Sequence, residues 1–347
     1  MRAYRMIAWK TRPVYQEVPV PEPQVGQVLV KVGGAGICHS DIGVIHDIDE
    51  GVMRATLPFT LGHENAGWVE ALGPDVKGLE VGQAVAVYGP YGCGTCTHCR
   101  TGEENLCDRA DELPGAGWGL GLDGGLAPYM LVESARQLVP LGDLDPVLAA
   151  PLTDAGITPY RAIRRSRDHL GPGSRVVVIG VGGLGHLAVQ ILAAMTPAVV
   201  IALDPRPEAL ALATSYGAAH TVQPGEEAAG AIRDLTHGVG ADVVLDLVGS
   251  EETLQLALTA TRAGGKIVVA GVAGGVVPWH FWAARYEVSL TNSLGGSIGD
   301  LRDVIALAAD GHVRPNVTTF EFDAISEAFA ALESGTLHGR AVVLPNG

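Results

Sequence analysis

The sequence predicts an α/β protein: a β-rich N-terminal region followed by a doubly wound parallel sheet. Three observations carry this expectation. The first 150 residues are short β segments punctuated by Gly and Pro. From Val176 onward, continuous Val/Ile runs alternate with amphipathic helical stretches, the pattern of strands buried on both faces. The chain has 347 residues, and a prior of about 150 residues per domain makes two domains the expectation.

Composition agrees. Hydrophobic residues make up 47% and charged ones 18%, ample for buried cores and unlike a disordered chain. Lys and Arg number 23 against 38 Asp and Glu, a net charge of -15. That field repels phosphate backbones and anionic lipid, so nucleic acid and membrane surfaces are unfavoured partners. The N-terminal "MRAYRMIAWKTRPVYQEV" lacks the apolar segment of a secretory signal, and we read a cytoplasmic protein. "VVVIGVGGLGHLAVQILAAM" (176–195) has nearly the length of a membrane span. Its glycines and His186 fit a buried strand followed by a helix better.

Taken in order, "GQVLVKVGGAGI", "NAGWVEALG" and "QAVAVYGP" are the β segments of the first region. Alanine-rich helical spacing begins at "DPVLAAPLTDAGITPYRAI" (145–163). The strands "VVVIG", "AVVIALD", "HTVQ", "DVVLDLVG" and "KIVVAG" follow, and "EVSLTNS" (287–293) completes six. A helix "GDLRDVIALAADG", then "TTFEF", another helix and "GRAVVL" close the chain, and their texture alone does not say which region they join.

"VVVIGVGGLG" places Gly180, Gly182 and Gly185 as G-x-G-x-x-G, with Gly183 and Leu184 inside the motif, directly after a strand and opening a helix. The first glycine permits the tight turn, the second lets backbone approach a pyrophosphate, and the third lets helix and strand pack closely. Asp204 ends the next strand, 19 residues after Gly185, where an acidic side chain can accept hydrogen bonds from a ribose diol. A dinucleotide site is the expectation, with Arg206, two residues on, able to reach a 2′-phosphate.

Four of the five cysteines, Cys93, Cys96, Cys99 and Cys107, lie in one stretch as C-x2-C-x2-C-x7-C. In a reducing compartment such a cluster signals metal or redox chemistry rather than disulfides. Four thiolates can close a tetrahedral shell around zinc. An iron–sulfur run would end C-x3-C-P, a nucleic-acid module fits poorly with the charge, and a redox C-x2-C belongs at a helix start in a βαβ unit. His98 lies among them and could replace one sulfur, but surface exposure is the expectation for it. A closed shell has no open position for substrate, so chemistry must lie elsewhere. Cys38 in "CHSD" and His63 in "GHE" are the best remaining ligands.

With "AGICHSD", "LGHENAG", the four-cysteine lobe, "APLTDAGITPY", "GVGGLG" with Asp204, and the terminal "GRAVV", the chain resembles the zinc-dependent alcohol dehydrogenases of the medium-chain dehydrogenase/reductase superfamily over essentially its whole length. The resemblance implies a GroES-like catalytic domain from both ends of the chain (1–153 and 294–347, with the lobe at 93–107). It also implies a central Rossmann domain at 154–293, NAD as cofactor, one catalytic and one structural zinc, and a homodimer or homotetramer. The implied activity is hydride exchange between NAD and a small alcohol or ketone, secondary alcohols favoured. A polyol or amino-alcohol dehydrogenase, or a non-catalytic nucleotide-binding sensor, is the alternative.

Carried over residue by residue, the resemblance gives Cys38, His63 and Asp154 as ligands of the catalytic zinc. Many relatives have cysteine where this chain has Asp154, and both are monoanions able to bind zinc. Glu64 resembles a carboxylate that visits the metal, Asp41 a partner that sets the His63 tautomer, and Ser40 the hydroxyl that takes the alcohol proton. His39 and Arg340 are implied pyrophosphate contacts, and Val248, Val272 and Leu294 flank the nicotinamide. Relatives often end a proton relay in a histidine where this chain has Gly43, which leaves His46 or water as its end and makes room for bulkier substrates.

Overall fold

The computed structural model describes residues 1–49, 51 and 53–347, which divide into two compact units. The first holds Met1–Ile157, Gly296–Asp310 and Pro315–Gly347, and the second Thr158–Gly295 and Gly311–Arg314. Asp154 thus lies in the same unit as Cys38 and His63.

The first unit is built on β-sheet. Its central strand, Val28–Ile37, pairs antiparallel with Glu64–Leu72 on one side and with the C-terminal strand Arg340–Leu344 on the other. The last of these pairs in parallel with Val317–Glu321, so the terminal elements enter this sheet rather than extending the parallel one. A separate three-stranded sheet joins Val14–Glu17, Arg2–Met6 and Phe59–Thr60. Val28, Val30, Val32, Ile37, Val85, Val87, Met130 and Val343 are buried between these elements, and each such side chain taken from water is worth about 1.5–3 kcal/mol.

The second unit is the doubly wound sheet. Six parallel strands lie in the spatial order His220–Val222, Val199–Leu203, Arg175–Ile179, Ala241–Asp246, Thr261–Val269 and Ser289–Asn292. In chain order this is 3-2-1-4-5-6, which reverses between Arg175–Ile179 and Ala241–Asp246. Ligands of open parallel sheets bind outside the carboxyl ends of strands at such a point. The Val/Ile runs are buried because helices such as Gly185–Met195 and Glu251–Ala260 return across the faces of the sheet. Among the described residues no helix is long and apolar enough to cross a membrane, and 176–195 is strand, turn and helix.

Helix Ile298–Ala309 of the first unit starts at a reciprocal cap. Ser297 Oγ accepts the Asp300 N–H at 3.1 Å, while the Asp300 carboxylate accepts the Ser297 N–H at 2.8 Å. We predict that Ser297→Ala lowers folding stability by about 1 kcal/mol, read as a shift of the urea midpoint at unchanged slope.

Candidate active site

Three chain segments meet around Cys38 in the first unit. Cys38 ends the strand Val28–Ile37 and caps the helix His39–His46, whose first turn brings Asp41 back onto it. One Asp41 oxygen accepts the Cys38 N–H at 2.8 Å and the other faces His63 Nδ1 at 3.0 Å. A single buried carboxylate therefore starts the helix and turns the imidazole so that Nε2 points to the other donors. Ser40 Oγ lies 3.1 Å from that Nε2. His63 immediately precedes the strand Glu64–Leu72, and Asp154 immediately follows the 3-10 turn Ala150–Thr153.

The ligand atoms of Cys38, His63, Glu64 and Asp154 all lie within 4.8 Å of one another. Asp154 Oδ2 is 3.7 Å from Cys38 Sγ and 3.7 Å from His63 Nε2. Tetrahedral zinc with S, N and O ligands needs separations of about 3.3–3.5 Å, so this donor set fits the ion with shifts of a few tenths of an ångström. Electrostatics agree. Burial pushes the His63 imidazole down, yet Asp41, Asp154 and Cys38 together hold it well above its ordinary value. The two carboxylates would equally favour a dication in the proton's place. Burial pushes Asp154 up, but His63 and Arg340 outweigh it and hold the carboxyl well below the usual range.

Glu64 is turned to a different partner. Its carboxylate takes hydrogen bonds from Arg340 Nε at 3.0 Å and from Nη2, and Nη2 also reaches Asp154 Oδ2 at 3.4 Å. Arg340 opens the strand that pairs with Val28–Ile37, which sets it beside this site. Burial pushes the Glu64 carboxyl up to about 7 despite the neighbouring guanidinium. Glycine at 36 makes the arrangement possible: a Cβ there would lie 2.0 Å from Glu64 Oε2. His39 is exposed, whereas Arg340 is buried on Glu64. His46 Nε2 faces Glu333 at 3.4 Å, and a Cβ on Gly43 would meet nothing within 4 Å.

The four remaining cysteines form a second donor group, their sulfurs within 4.8 Å of one another, and none is in a disulfide. Cys93 and Cys99 sulfurs are 3.9 Å apart, close to the roughly 3.8 Å of two thiolates on one tetrahedral zinc. Backbone N–H groups of Cys93, Cys96 and Cys99 point at the sulfurs of Cys107, Cys93 and Cys96. Hydrogen bonds from Thr95 and the Cys96 N–H lower the Cys93 thiol to about 6, while burial pushes Cys99 up to about 12. His98 lies outside the sulfur group and faces Glu103 and Asp108.

In the second unit the glycine turn follows Arg175–Ile179 at the switch point. A Cβ on Gly185 would lie 1.8 Å from Gly180 O, so only glycine lets the helix start there. That helix has no side-chain cap on its first N–H groups, the condition for receiving an anion. Val248 packs against Gly180, while Val272 and Leu294 are 70% and 73% exposed. Asp204 Oδ2 accepts the Val181 N–H at 2.8 Å, and Oδ1 accepts the Arg206 N–H and Nε–H at 3.0 Å. Burial raises the Asp204 carboxyl, but these donors bring it below its ordinary value. Arg206 folds back over its own strand end, with Nη2 3.9 Å from where a Gly182 Cβ would stand. Neither this fold-back nor the Glu64–Arg340 pair was readable from spacing, because guanidinium direction has no sequence signature.

Residues 24–143 match the family model "Alcohol dehydrogenase GroES-like domain" and residues 183–310 "Zinc-binding dehydrogenase". An NAD-dependent alcohol dehydrogenase of Sulfurisphaera tokodaii is 38% identical, covering 99% of this chain and all of the relative. A D-arabinose 1-dehydrogenase (NADP(+)) of Saccharolobus solfataricus is 37% identical over 95% of this chain and 93% of its own length. The crystal structure of the alcohol dehydrogenase from Aeropyrum pernix superposes with a TM-score of 0.91 at 36% identity, over 99% of this chain and 100% of that one.

The two donor groups should separate by mutation. Asp154→Ala is expected to lose one zinc per subunit and Asp154→Cys to keep it, both remaining folded. Cys107→Ser should lose the other zinc and with it stability, because a closed shell contributes folding free energy. Elemental analysis beside thermal unfolding checks this, and full zinc in Asp154→Ala would remove that residue from the ligand set.

Proposed function

The chain belongs to the zinc-binding alcohol dehydrogenases with a GroES-like domain, and from that membership we propose that it exchanges a hydride between NAD and a small alcohol, secondary alcohols favoured, with ketone reduction as the reverse reaction. The observation that carries this reading is the convergence of Cys38, His63 and Asp154 beside the Ser40 hydroxyl. Bound zinc supplies a Lewis acid that makes an alcohol O–H more acidic, and NAD supplies the hydride acceptor. The chain's own residues do the rest. Asp41 holds the His63 proton on Nδ1 and leaves Nε2 to bind metal. Two anionic ligands, Cys38 and Asp154, match the charge of a dication, while Arg340 offsets Glu64. Ser40 Oγ is placed to accept the alcohol proton and pass it on.

Gly43 supports substrates with two substituents on the carbinol carbon. It stands one helical turn after Ser40, and the space a side chain would fill is open. The proton then continues to water, since His46 is engaged by Glu333. A polyol or sugar substrate is the second reading, favoured by the same space and by the likeness to a D-arabinose dehydrogenase. NADH formation across primary, secondary and polyhydric alcohols separates the two. Turnover confined to polyols would replace the first reading.

We place the nicotinamide cofactor on the glycine turn, Gly180 to Gly185, with Val248, Val272 and Leu294 near its nicotinamide half. A homo-oligomer is supported by the last strand of the parallel sheet, Ser289–Asn292, which among the described residues has a strand on one side only. Nearby Phe281, Trp282 and Tyr286 meet edge-on or tilted, yet are 73%, 70% and 62% exposed, the kind of apolar edge that a second copy covers. Five cysteines that form no disulfide support a cytoplasmic location.

Asp204 should make NAD the preferred cofactor. A ribose diol would donate to the carboxylate in place of the Arg206 side chain, whereas a 2′-phosphate both lacks that donor and meets a like charge. Asp204→Ser, which frees Arg206 from its carboxylate, is expected to narrow the NAD over NADP ratio of kcat/KM by about tenfold or more, a loss of the order of one charged hydrogen bond. An unchanged ratio would remove Asp204 from this role.

A further inference from the structure

Two of the donors that would hold the catalytic zinc come from segments far apart in the chain, His63 ahead of one strand and Asp154 at the end of a 3-10 turn. Beside them lie two buried residues that are given no ligand role, Asn65 two positions after His63 and Thr153 directly before Asp154. The Thr153 hydroxyl donates to Ala150 O at 2.8 Å and accepts the Asn65 N–H at 3.2 Å. The Asn65 side-chain amide donates to Gly62 O at 2.9 Å. Thr153 is 2% exposed and Asn65 1%.

We propose that Asn65 and Thr153 form a latch that sets the spacing of His63 and Asp154, making them positioning residues for the metal. Asn65 grips the residue before His63 with its side chain and the residue before Asp154 with its main chain. Both ligands are thereby tied, each through its neighbour, to one residue. The Thr153 hydroxyl is suited to the task because it fills a donor and an acceptor role at once inside a dry interior. Valine has the same shape and can do neither, so the Asn65 N–H would lose its partner and the 150–154 turn its tie to the strand. The latch therefore acts on the distance between His63 Nε2 and Asp154 Oδ2, now 3.7 Å, rather than on the chemistry of either ligand. Outer residues that orient metal ligands typically change affinity by 10–100-fold. This inference rests on the reading of Cys38, His63 and Asp154 as ligands.

The test uses the full-length zinc-loaded protein and a chromogenic zinc chelator. For Thr153→Val we expect one zinc per subunit to be released at least tenfold faster than from wild type, the lobe zinc unchanged, and Thr153→Ser to release at the wild-type rate. Cobalt exchanged into the same site should show altered visible ligand-field bands in the valine variant only, which a general loss of stability does not produce. Wild-type release and spectra in folded Thr153→Val would overturn the latch while leaving the ligand reading intact. If the valine variant does not fold, fast release from Thr153→Ser, which keeps the hydroxyl, overturns it equally. Retention of both zincs by Asp154→Ala would overturn the ligand reading and the latch together.

Discussion

Much of the first unit is arranged around one electrostatic constraint, the burial of several anionic groups in one small volume. Asp41 and Glu64 have no exposed surface, and Cys38 and His63 have little. Unpaired charge in a protein interior is costly, and removing one partner of a buried pair typically destabilises by about 3–5 kcal/mol. Each anion here has an answer: Asp41 has the Cys38 N–H and the His63 ring, and Glu64 has Arg340. Asp154 shares Arg340 and His63. What remains is the Asp154 carboxylate and the Cys38 sulfur facing a ring nitrogen, a donor set that suits a divalent cation. The metal reading thus follows from charge as well as from spacing.

Backbone architecture serves that constraint. Arg340 reaches Glu64 because the C-terminal strand lies beside the strand that ends at Cys38. Glu64 can lie across its neighbour because position 36 has no side chain. Asp41 caps the helix and orients His63 with one carboxylate, so local folding and ligand orientation depend on each other. The glycine turn of the second unit obeys a similar steric rule, since the Gly185 contact with Gly180 O excludes any Cβ.

The four-cysteine lobe and the Cys38 site show what distinguishes a structural from a catalytic donor set. In the lobe every ligand is a sulfur and the N–H groups of its own loop support the sulfurs, so the unit is complete in itself. Around Cys38 the donors Cys38, His63 and Asp154 are of three kinds and have a hydroxyl beside them, a set of three that fits a zinc site with a position left open. Glu64 is near enough to compete for it and is held by Arg340.

Several features were legible in the sequence because they are encoded locally. Unbroken Val/Ile runs specify strands buried on both faces, glycine spacing specifies a turn that a Cβ would block, and four cysteines within one short stretch meet whatever the rest of the chain does. Cys38 and His63 were legible as leftover metal-binding residue types, whereas Asp154 was legible as their companion only through likeness to a family, since nothing in their spacing brings the three together. Tertiary structure alone decided that Arg340 answers Glu64 across 276 positions and touches Asp154 across 186. It also decided that Arg206 folds onto Asp204 and that Asn65 holds Thr153. For Arg340 and Glu64 the physical reason is register, since which side chains meet in a sheet depends on how its strands pair, while the other two contacts are set by how a turn packs against its strand.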